Sequence, residues 1–327
     1  MWINYCKLQE LYFDVVVWAY FCAGYYLCHA MATIIDGRKV SASIRESLSR
    51  EVQTLVSQGL RPPHLIAILV GNDGGSQTYV GAKEKACHEV GFLGTVIRYP
   101  ETVTEEELLA KVNEINHNDQ IDGLIVQLPL PKHVNENLVT LAIAPEKDVD
   151  GFHDVNMGRL TKGADGIKPA TTYGIILMLK HYGIPTEGKH VVVIGRSNIV
   201  GRPMSILLSN PGETGNATVT VCHSRTPNLT WFTQNADIIV AALGKPGFLT
   251  GDMVKEGCVV IDVGTTRVDD QTKKVGWRLC GDVDFTSVEP KASAITPVPG
   301  GVGPMTITGL LVNTLKARKA RIAAQTA

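Results

Sequence analysis

The chain has 327 residues, room for about two domains, and 44% of them are hydrophobic, enough for a large core. Lys and Arg (31) nearly balance Asp and Glu (32), so the formal net charge is −1 and the strongly basic surface of a dedicated nucleic-acid binder is not expected. Seven cysteines without a C-x-x-C pair fit free thiols in a reducing compartment, and nine histidines without metal-ligand spacing argue against a protein-held metal.

Residues 1–30 stand apart. They carry three of the seven cysteines and nine of the twenty aromatics, and Val15 to Cys28 is an unbroken apolar and aromatic run. That run is short for a membrane span. Lys7 is outweighed by Glu10 and Asp14, which is wrong for a signal peptide, and the absence of Arg is wrong for a mitochondrial transit peptide. Met31 is followed at once by the strand-like Ala32-Thr33-Ile34-Ile35-Asp36, so Met31 is the expected true start, with a short membrane anchor as the alternative.

From Gly37 onward helix and strand alternate. Val40, Ile44, Leu48 and Leu55 keep helical spacing until Arg61-Pro62-Pro63. Leu65 to Val70 is a continuous apolar run, as in a buried parallel strand. A turn at Gly71–Gly75, a helix over about Ser76–Val90 and a strand at Thr95–Tyr99 follow. Thr104 with Glu107 is a capping-box signature, and Gly123–Leu128 reads as another buried strand. This rhythm predicts a parallel sheet with helices on both faces. It breaks into a loop-rich link over Gly151–Lys168. A helix over about Thr171–Tyr182 then leads into a second α/β unit, with strands at His190–Ile194, Ala217–Cys222, Asp237–Ala242 and Cys258–Val263. The Gly/Pro segment Pro297–Pro304 precedes a basic C-terminal helix.

The stretch Val191–Pro203 is strand, glycine turn and helix start, the arrangement whose backbone N–H groups hold a pyrophosphate. It departs from G-x-G-x-x-G, because Ser197 takes the second glycine position and Gly201 comes one residue late. Alone it leaves open a tight turn with no ligand. The next strand ends in His223-Ser224-Arg225-Thr226 with no carboxylate for a ribose 2′-hydroxyl. A hydroxyl and a guanidinium suit a 2′-phosphate, which favours NADP over NAD.

In the first unit Tyr79 and Lys83 share a helix face at i and i+4. Gln127 is polar at the carboxyl end of an apolar strand, where open α/β sheets place ligand crevices. Asp148 and Asp150 put carboxylates in the interdomain link. Each also has an ordinary reading, as a solvated lysine, an edge glutamine or an Asx turn, and spacing alone leaves both readings open.

Five ordered blocks go further: Tyr79-Val80-Gly81-Ala82-Lys83, Gln127-Leu128-Pro129-Leu130-Pro131, Pro145 to Gly151, Gly195-Arg196-Ser197, and Pro297 to Thr306. Together they resemble the signature of the bifunctional methylenetetrahydrofolate dehydrogenase/methenyltetrahydrofolate cyclohydrolase family, from about Ala32 to the end. One departure is Gly264-Thr265-Thr266, where many members carry Gly-Ile-Asn.

The resemblance implies two α/β domains with the active site in the cleft between them. Residues 31–150 form a catalytic folate-binding domain, 151–302 a Rossmann-like NADP domain with linkers, and the helix over 303–327 packs back on the first domain. It implies NADP-dependent oxidation of methylene-tetrahydrofolate followed by hydrolysis of the methenyl product, in one-carbon metabolism. Lys83 is then the acid/base residue, Gln127 orients it, Tyr79 stacks on the folate and Asp150 accepts hydrogen bonds from the pterin. Leu128, Pro129 and the wall Pro299-Gly300-Gly301 adjoin the substrate. Gly195, Arg196, Ser197, Ser224, Arg225 and Thr265 hold NADP. A cytoplasmic homodimer joined through the cofactor domain, with no nucleic-acid or membrane partner, completes the expectation. The alternatives are another two-domain dehydrogenase acting on amino or hydroxy acids, a catalytically dead folate- or nucleotide-binding regulator, and survival of only one of the two activities.

Overall fold

The computed structural model describes residues 31–273 and 275–326, so the readings made for residues 1–30 lie outside the described residues. After β1 (Thr33–Ile34) comes α1 (Gly37–Ser57), which begins where the Asp36 side chain accepts hydrogen bonds from the N–H groups of Arg38 and Lys39 at 2.8 and 3.3 Å. Next are β2 (His64–Val70), α2 (Gly74–Glu89), β3 (Leu93–Tyr99), α3 (Glu105–Asn116) and β4 (Gly123–Val126). The capping box of α3 is complete. Thr104 Oγ1 accepts from the Glu107 N–H at 3.2 Å, and the Glu107 carboxylate accepts from the Thr104 N–H at 3.0 Å.

These three strands form a parallel sheet in the order β3-β2-β4. Residues Leu65 to Val70 of β2 are all buried because both faces are covered. Leu65, Ala67 and Leu69 pack in one core with Leu48 and Val52 of α1 and Val80 of α2. Ile66, Ile68 and Val70 pack in another with Leu108 and Val112 of α3. A strand buried on both faces loses the alternation of a half-exposed one, hence the continuous apolar run.

The short helices α4 (Glu136–Leu141) and α5 (Asp154–Thr161) lead to α6 (Ala170–His181). Then come β5 (His190–Ile194), α7 (Gly201–Ser209), β6 (Thr218–Cys222), α8 (Leu229–Thr233), β7 (Ile238–Ala241) and β8 (Val259–Asp262). An antiparallel hairpin, β9 (Thr266–Asp269) with β10 (Trp277–Cys280), precedes α9 (Phe285–Val288), β11 (Ala294–Ile295) and α10 (Val302–Thr326). The second sheet is parallel throughout, in the order β1-β11-β8-β7-β5-β6.

The structure departs from the sequence-based expectations at several points. The link expected to be loop-rich contains α5, whose N-terminus the His153 ring caps by accepting from the Val155 N–H at 3.1 Å. The strand expected to run to Leu128 ends at Val126, since Gln127 turns toward α2 and Pro129 has no N–H for a ladder. Residues 33–34 belong to the second sheet, through pairing with β11. Helix α10 packs along α6 as well as on α1 and α2, so Val302 and Met305 enter the second unit's core while Leu310, Leu311 and Leu315 enter the first. One continuous helix thus ties the two units together. Among the described residues no helix is long and apolar enough to cross a membrane.

Candidate active site in the interdomain cleft

Both sheets have a switch point where the strand order reverses, and in such sheets ligand crevices form at the carboxyl ends of the strands. In the first sheet the reversal lies between β2 and β4. Helix α2 leaves the end of β2 with Asp73 as its cap, accepting from the Ser76 N–H at 2.7 Å. Val80, Lys83 and Cys87 follow at i, i+3 and i+7 on its buried stripe. Lys83 is therefore no solvated helix lysine: it is only 8% exposed. Its Nζ donates to Gln127 Oε1 at 3.0 Å. The Gln127 amide group in turn donates to the Leu128 carbonyl at 2.8 Å, so its orientation is held from both ends.

Burial lowers the Lys83 pKa from the ordinary lysine value, and the negative charge of Asp150 opposes that shift only in part. Asp150 moves the other way, up to about 6, because burial disfavours its ionised form; Lys83 pulls it down and Asp148 pushes it up. The two aspartates of the link divide the work. Asp148 is consumed structurally, accepting from the N–H groups of Gly151 and His153 at 3.1 and 2.8 Å and from Asn156 Nδ2 at 3.0 Å. No described residue donates to the Asp150 carboxylate, while the Asp150 backbone carbonyl accepts from the Ala170 N–H at 3.1 Å. Gly151 has φ +77°, and a Cβ there would stand 2.6 Å from the Lys168 carbonyl carbon, so only glycine fits this corner.

In the second sheet the reversal lies between β5 and β7. Gly195 ends β5 at φ +128°, and any Cβ there would overlap the Ala242 carbonyl oxygen beyond β7. Ser197 takes over part of a cap's task, its Oγ accepting from the N–H groups of Val200 and Gly201 at 3.2 and 3.3 Å. At the end of β6 the turn is closed by Thr226, whose Oγ1 accepts from the His223 N–H at 2.9 Å, and this leaves Ser224 and Arg225 exposed at its tip. Arg196 and Ser197 are exposed as well. The turn is therefore built for close backbone approach and has no carboxylate beside it, which fits a dinucleotide with a 2′-phosphate.

One cleft is lined from both units. Tyr79 comes from α2, Thr265 from the loop after β8, and Pro299, Gly300 and Gly301 from the Gly/Pro segment. Three further residues line it that the sequence reading did not single out, Arg38, Asp262 and Leu279. Asp262 accepts from the N–H groups of Gly264, Asp282 and Val283 at 2.9, 2.9 and 3.0 Å and so folds the loop that carries Thr265. Burial still pushes its carboxyl up to about 6. An Asp closing an apolar parallel strand two residues before a glycine is the local signal that marks it. Arg38 has no such signal, because only the docking of the α1 N-terminus on the Gly300 carbonyl, at 3.2 Å, brings it there. That lining includes neither Lys83, Gln127, Leu128, Pro129 and Asp150 nor the β5 and β6 turns, which stand at the same edge of the second sheet as Thr265. Among the described residues no cluster of His, Cys, Asp or Glu could hold a metal ion.

Comparison with known proteins agrees with this arrangement. The catalytic-domain profile of tetrahydrofolate dehydrogenase/cyclohydrolase matches residues 35–150, and that family's NAD(P)-binding-domain profile matches residues 169–322. The bifunctional protein FolD of Porphyromonas gingivalis is 57% identical over 286 residues, covering 88% of this chain and 97% of the relative. The crystal structure of the FolD methylenetetrahydrofolate dehydrogenase/cyclohydrolase from Campylobacter jejuni superposes with a TM-score of 0.83 at 48% identity, covering 89% of this chain and 99% of that one. The Trypanosoma brucei enzyme, solved with NADP and an inhibitor, gives 0.85 at 41% identity, covering 89% and 99%. The chain belongs to the tetrahydrofolate dehydrogenase/cyclohydrolase family.

Proposed function

We infer that the chain oxidises 5,10-methylenetetrahydrofolate to the 5,10-methenyl form with NADP and then hydrolyses that product to 10-formyltetrahydrofolate. When bound, NADP supplies the acceptor for the hydride that leaves the methylene carbon. Gly195, Arg196 and Ser197 would take its pyrophosphate, Ser224 and Arg225 its 2′-phosphate, and Thr265 the nicotinamide side. Tyr79 stacks on the folate and holds it against the Pro299–Gly301 wall, with Leu128 and Pro129 alongside. Asp150, which has unspent acceptor capacity, takes the pterin's amino and ring N–H groups.

Hydride loss leaves a cation delocalised over the two nitrogens that flank the one-carbon unit. Water then adds to that carbon. The Lys83 amine accepts the proton released by the attacking water and returns it to the pterin nitrogen as its bond to the carbon breaks, while the hydroxyl proton of the adduct leaves to solvent as the formyl C=O forms. Burial, which lowers the Lys83 pKa, favours the neutral amine that this step needs. Gln127 keeps the amine aimed. The observation that carries this reading is the buried Lys83–Gln127 hydrogen bond beside an Asp150 whose carboxylate is left open.

The substrate side is assigned to residues 31–150 and the cofactor side to 151–302, with the last helix bridging them. A homodimer formed through the cofactor unit and a cytoplasmic location are part of the same proposal, supported by the family's habits. An absorbance assay that follows methenyl formation and decay, with NADP or NAD, tests the reading. Formation without enzyme-catalysed decay leaves a dehydrogenase alone, and failure of both steps removes the reading altogether.

A further inference from the structure

The hairpin β9–β10 has no part in the roles above, yet it leaves β8 through Gly264 and Thr265, the cofactor side of the cleft. Its first strand carries Arg267, and its second carries Trp277. In the antiparallel register Arg267 pairs with Leu279 and Asp269 with Trp277, so Arg267 and Trp277 are diagonal neighbours on one face. The guanidinium carbon of Arg267 sits over the Trp277 ring, 4.4 Å from its centroid. That stacking holds a long cation in one place.

The place it is held is the start of the substrate helix in the other unit. A Cβ on Gly75 would stand 3.9 Å from an Arg267 guanidinium nitrogen and 3.1 Å from an Asp73 carboxylate oxygen. Having no side chain, Gly75 leaves the guanidinium room to approach. Hydrogen bonds from Ser76 hold the Asp73 carboxyl below its usual range, and the Arg267 charge adds to that effect. Downstream on the same helix stand Tyr79 and Lys83. The guanidinium, on the strand that follows the Thr265 loop, therefore lies beside the first turn of the helix that carries Tyr79.

We propose that Arg267, braced by Trp277, is a positioning residue that fastens the cofactor-side hairpin to the first turn of the substrate helix and so sets the separation of the two reacting rings. The proposal rests on the placement of both ligands given above. The two reactions depend on that separation unequally. Hydride transfer needs groups from both sides of the cleft in one geometry. Hydrolysis is assigned to Lys83, Gln127 and Asp150, all on the substrate side. Loosening the fastening therefore slows the first reaction and spares the second.

The test measures Arg267→Ala, Arg267→Lys and Lys83→Met side by side, with dehydrogenase kcat and KM, hydrolysis of supplied methenyl-tetrahydrofolate, NADP affinity by titration calorimetry, and thermal stability. For Arg267→Ala, dehydrogenase kcat should fall about 10- to 100-fold while hydrolysis and NADP affinity stay within about twofold of the parent. Arg267→Lys keeps the charge without the planar stack and should recover part of the loss. A parallel fall in both activities with lowered thermal stability would mean a merely structural role and overturn the proposal. Loss of NADP affinity with unchanged kcat would make Arg267 a cofactor contact and overturn it too, as would no change in either activity. Failure of the underlying reading is seen separately, as Lys83→Met hydrolysing at the parent rate.

Discussion

The groups proposed to act on the substrate and those proposed to hold the cofactor are set in the molecule in opposite ways. On the substrate side Lys83 is buried, fastened to Gln127, and faces an aspartate that burial also perturbs. The residues proposed to hold the cofactor, Arg196, Ser197, Ser224 and Arg225, stand exposed on two turns. Proton transfer near neutral pH favours a lysine below its ordinary pKa, and burial moves Lys83 that way while the charge of Asp150 opposes it. Gripping a phosphate requires only reach and charge, since guanidinium remains protonated anywhere, so those residues need no burial.

The sharpest way to break this contrast is Lys83→Met, which keeps the length and apolar stem but removes the titrating amine. Cyclohydrolase activity should fall by about 10²-fold or more, and dehydrogenase activity by less. Hydrolysis of supplied methenyl-tetrahydrofolate at the parent rate would move the proton to another group or to bulk water.

On the exposed side the expected effect is smaller. A charge-assisted contact from Arg225 to a 2′-phosphate is worth roughly 1.5–3 kcal/mol, so Arg225→Ala should weaken NADP about tenfold to a hundredfold and NAD much less. Comparison of kcat/KM for the two nucleotides measures this, and equal losses with both would remove the 2′-phosphate from the account.

The pH dependence sharpens the buried side. As pH falls through about 6, Asp150 takes up a proton and loses its acceptor role, so KM for the folate should rise there while KM for NADP stays level. Stability runs the other way. The folded pKa of Asp150 lies above its unfolded value, so its contribution is fully present below the unfolded pKa, near 3.8, and is lost as pH rises through about 6. Asp150→Asn should accordingly raise the Tm of the ligand-free protein at pH 8 but not at pH 3.5, while weakening folate binding. A lower Tm for Asp150→Asn at pH 8 would show the carboxylate to be a stabilising group.

The smallest effect is a control on the far face of the first sheet. Thr104→Ala removes the cap of α3, which covers the face opposite α2, and should cost about 1 kcal/mol of stability with both activities unchanged. Denaturant titration reads the first and the coupled assay the second. Altered activity would mean that the two faces of the sheet communicate.

Much of this molecule was legible in one dimension. The buried strand Leu65–Val70, the box of Thr104 and Glu107 and the turn at Gly195 are local: periodicity, a cap spacing and a glycine each act over a few residues. The five ordered blocks carried the family. Less visible was α5, since eight residues with two buried positions give little periodic signal. The pairing of β1 with β11 joins residues some 260 positions apart and has no local trace.

For the site, the sequence by itself determined which groups exist and their spacing along each element: a lysine one turn from a tyrosine, a glutamine closing a strand, no carboxylate after β6. The Val80–Lys83–Cys87 stripe even held a readable sign that the lysine faces inward. Only the tertiary structure decided what those groups became. Folding put Gln127 against Lys83 from 44 residues away, spent Asp148 on backbone amides while leaving Asp150 open, brought Arg38 and Thr265 into one cleft lining, and set Arg267 beside Gly75. The physical reason is that a pKa, an open acceptor or a bridge across a cleft depends on neighbours in space and on excluded water, and neither is a property of a residue and its nearest companions in the chain.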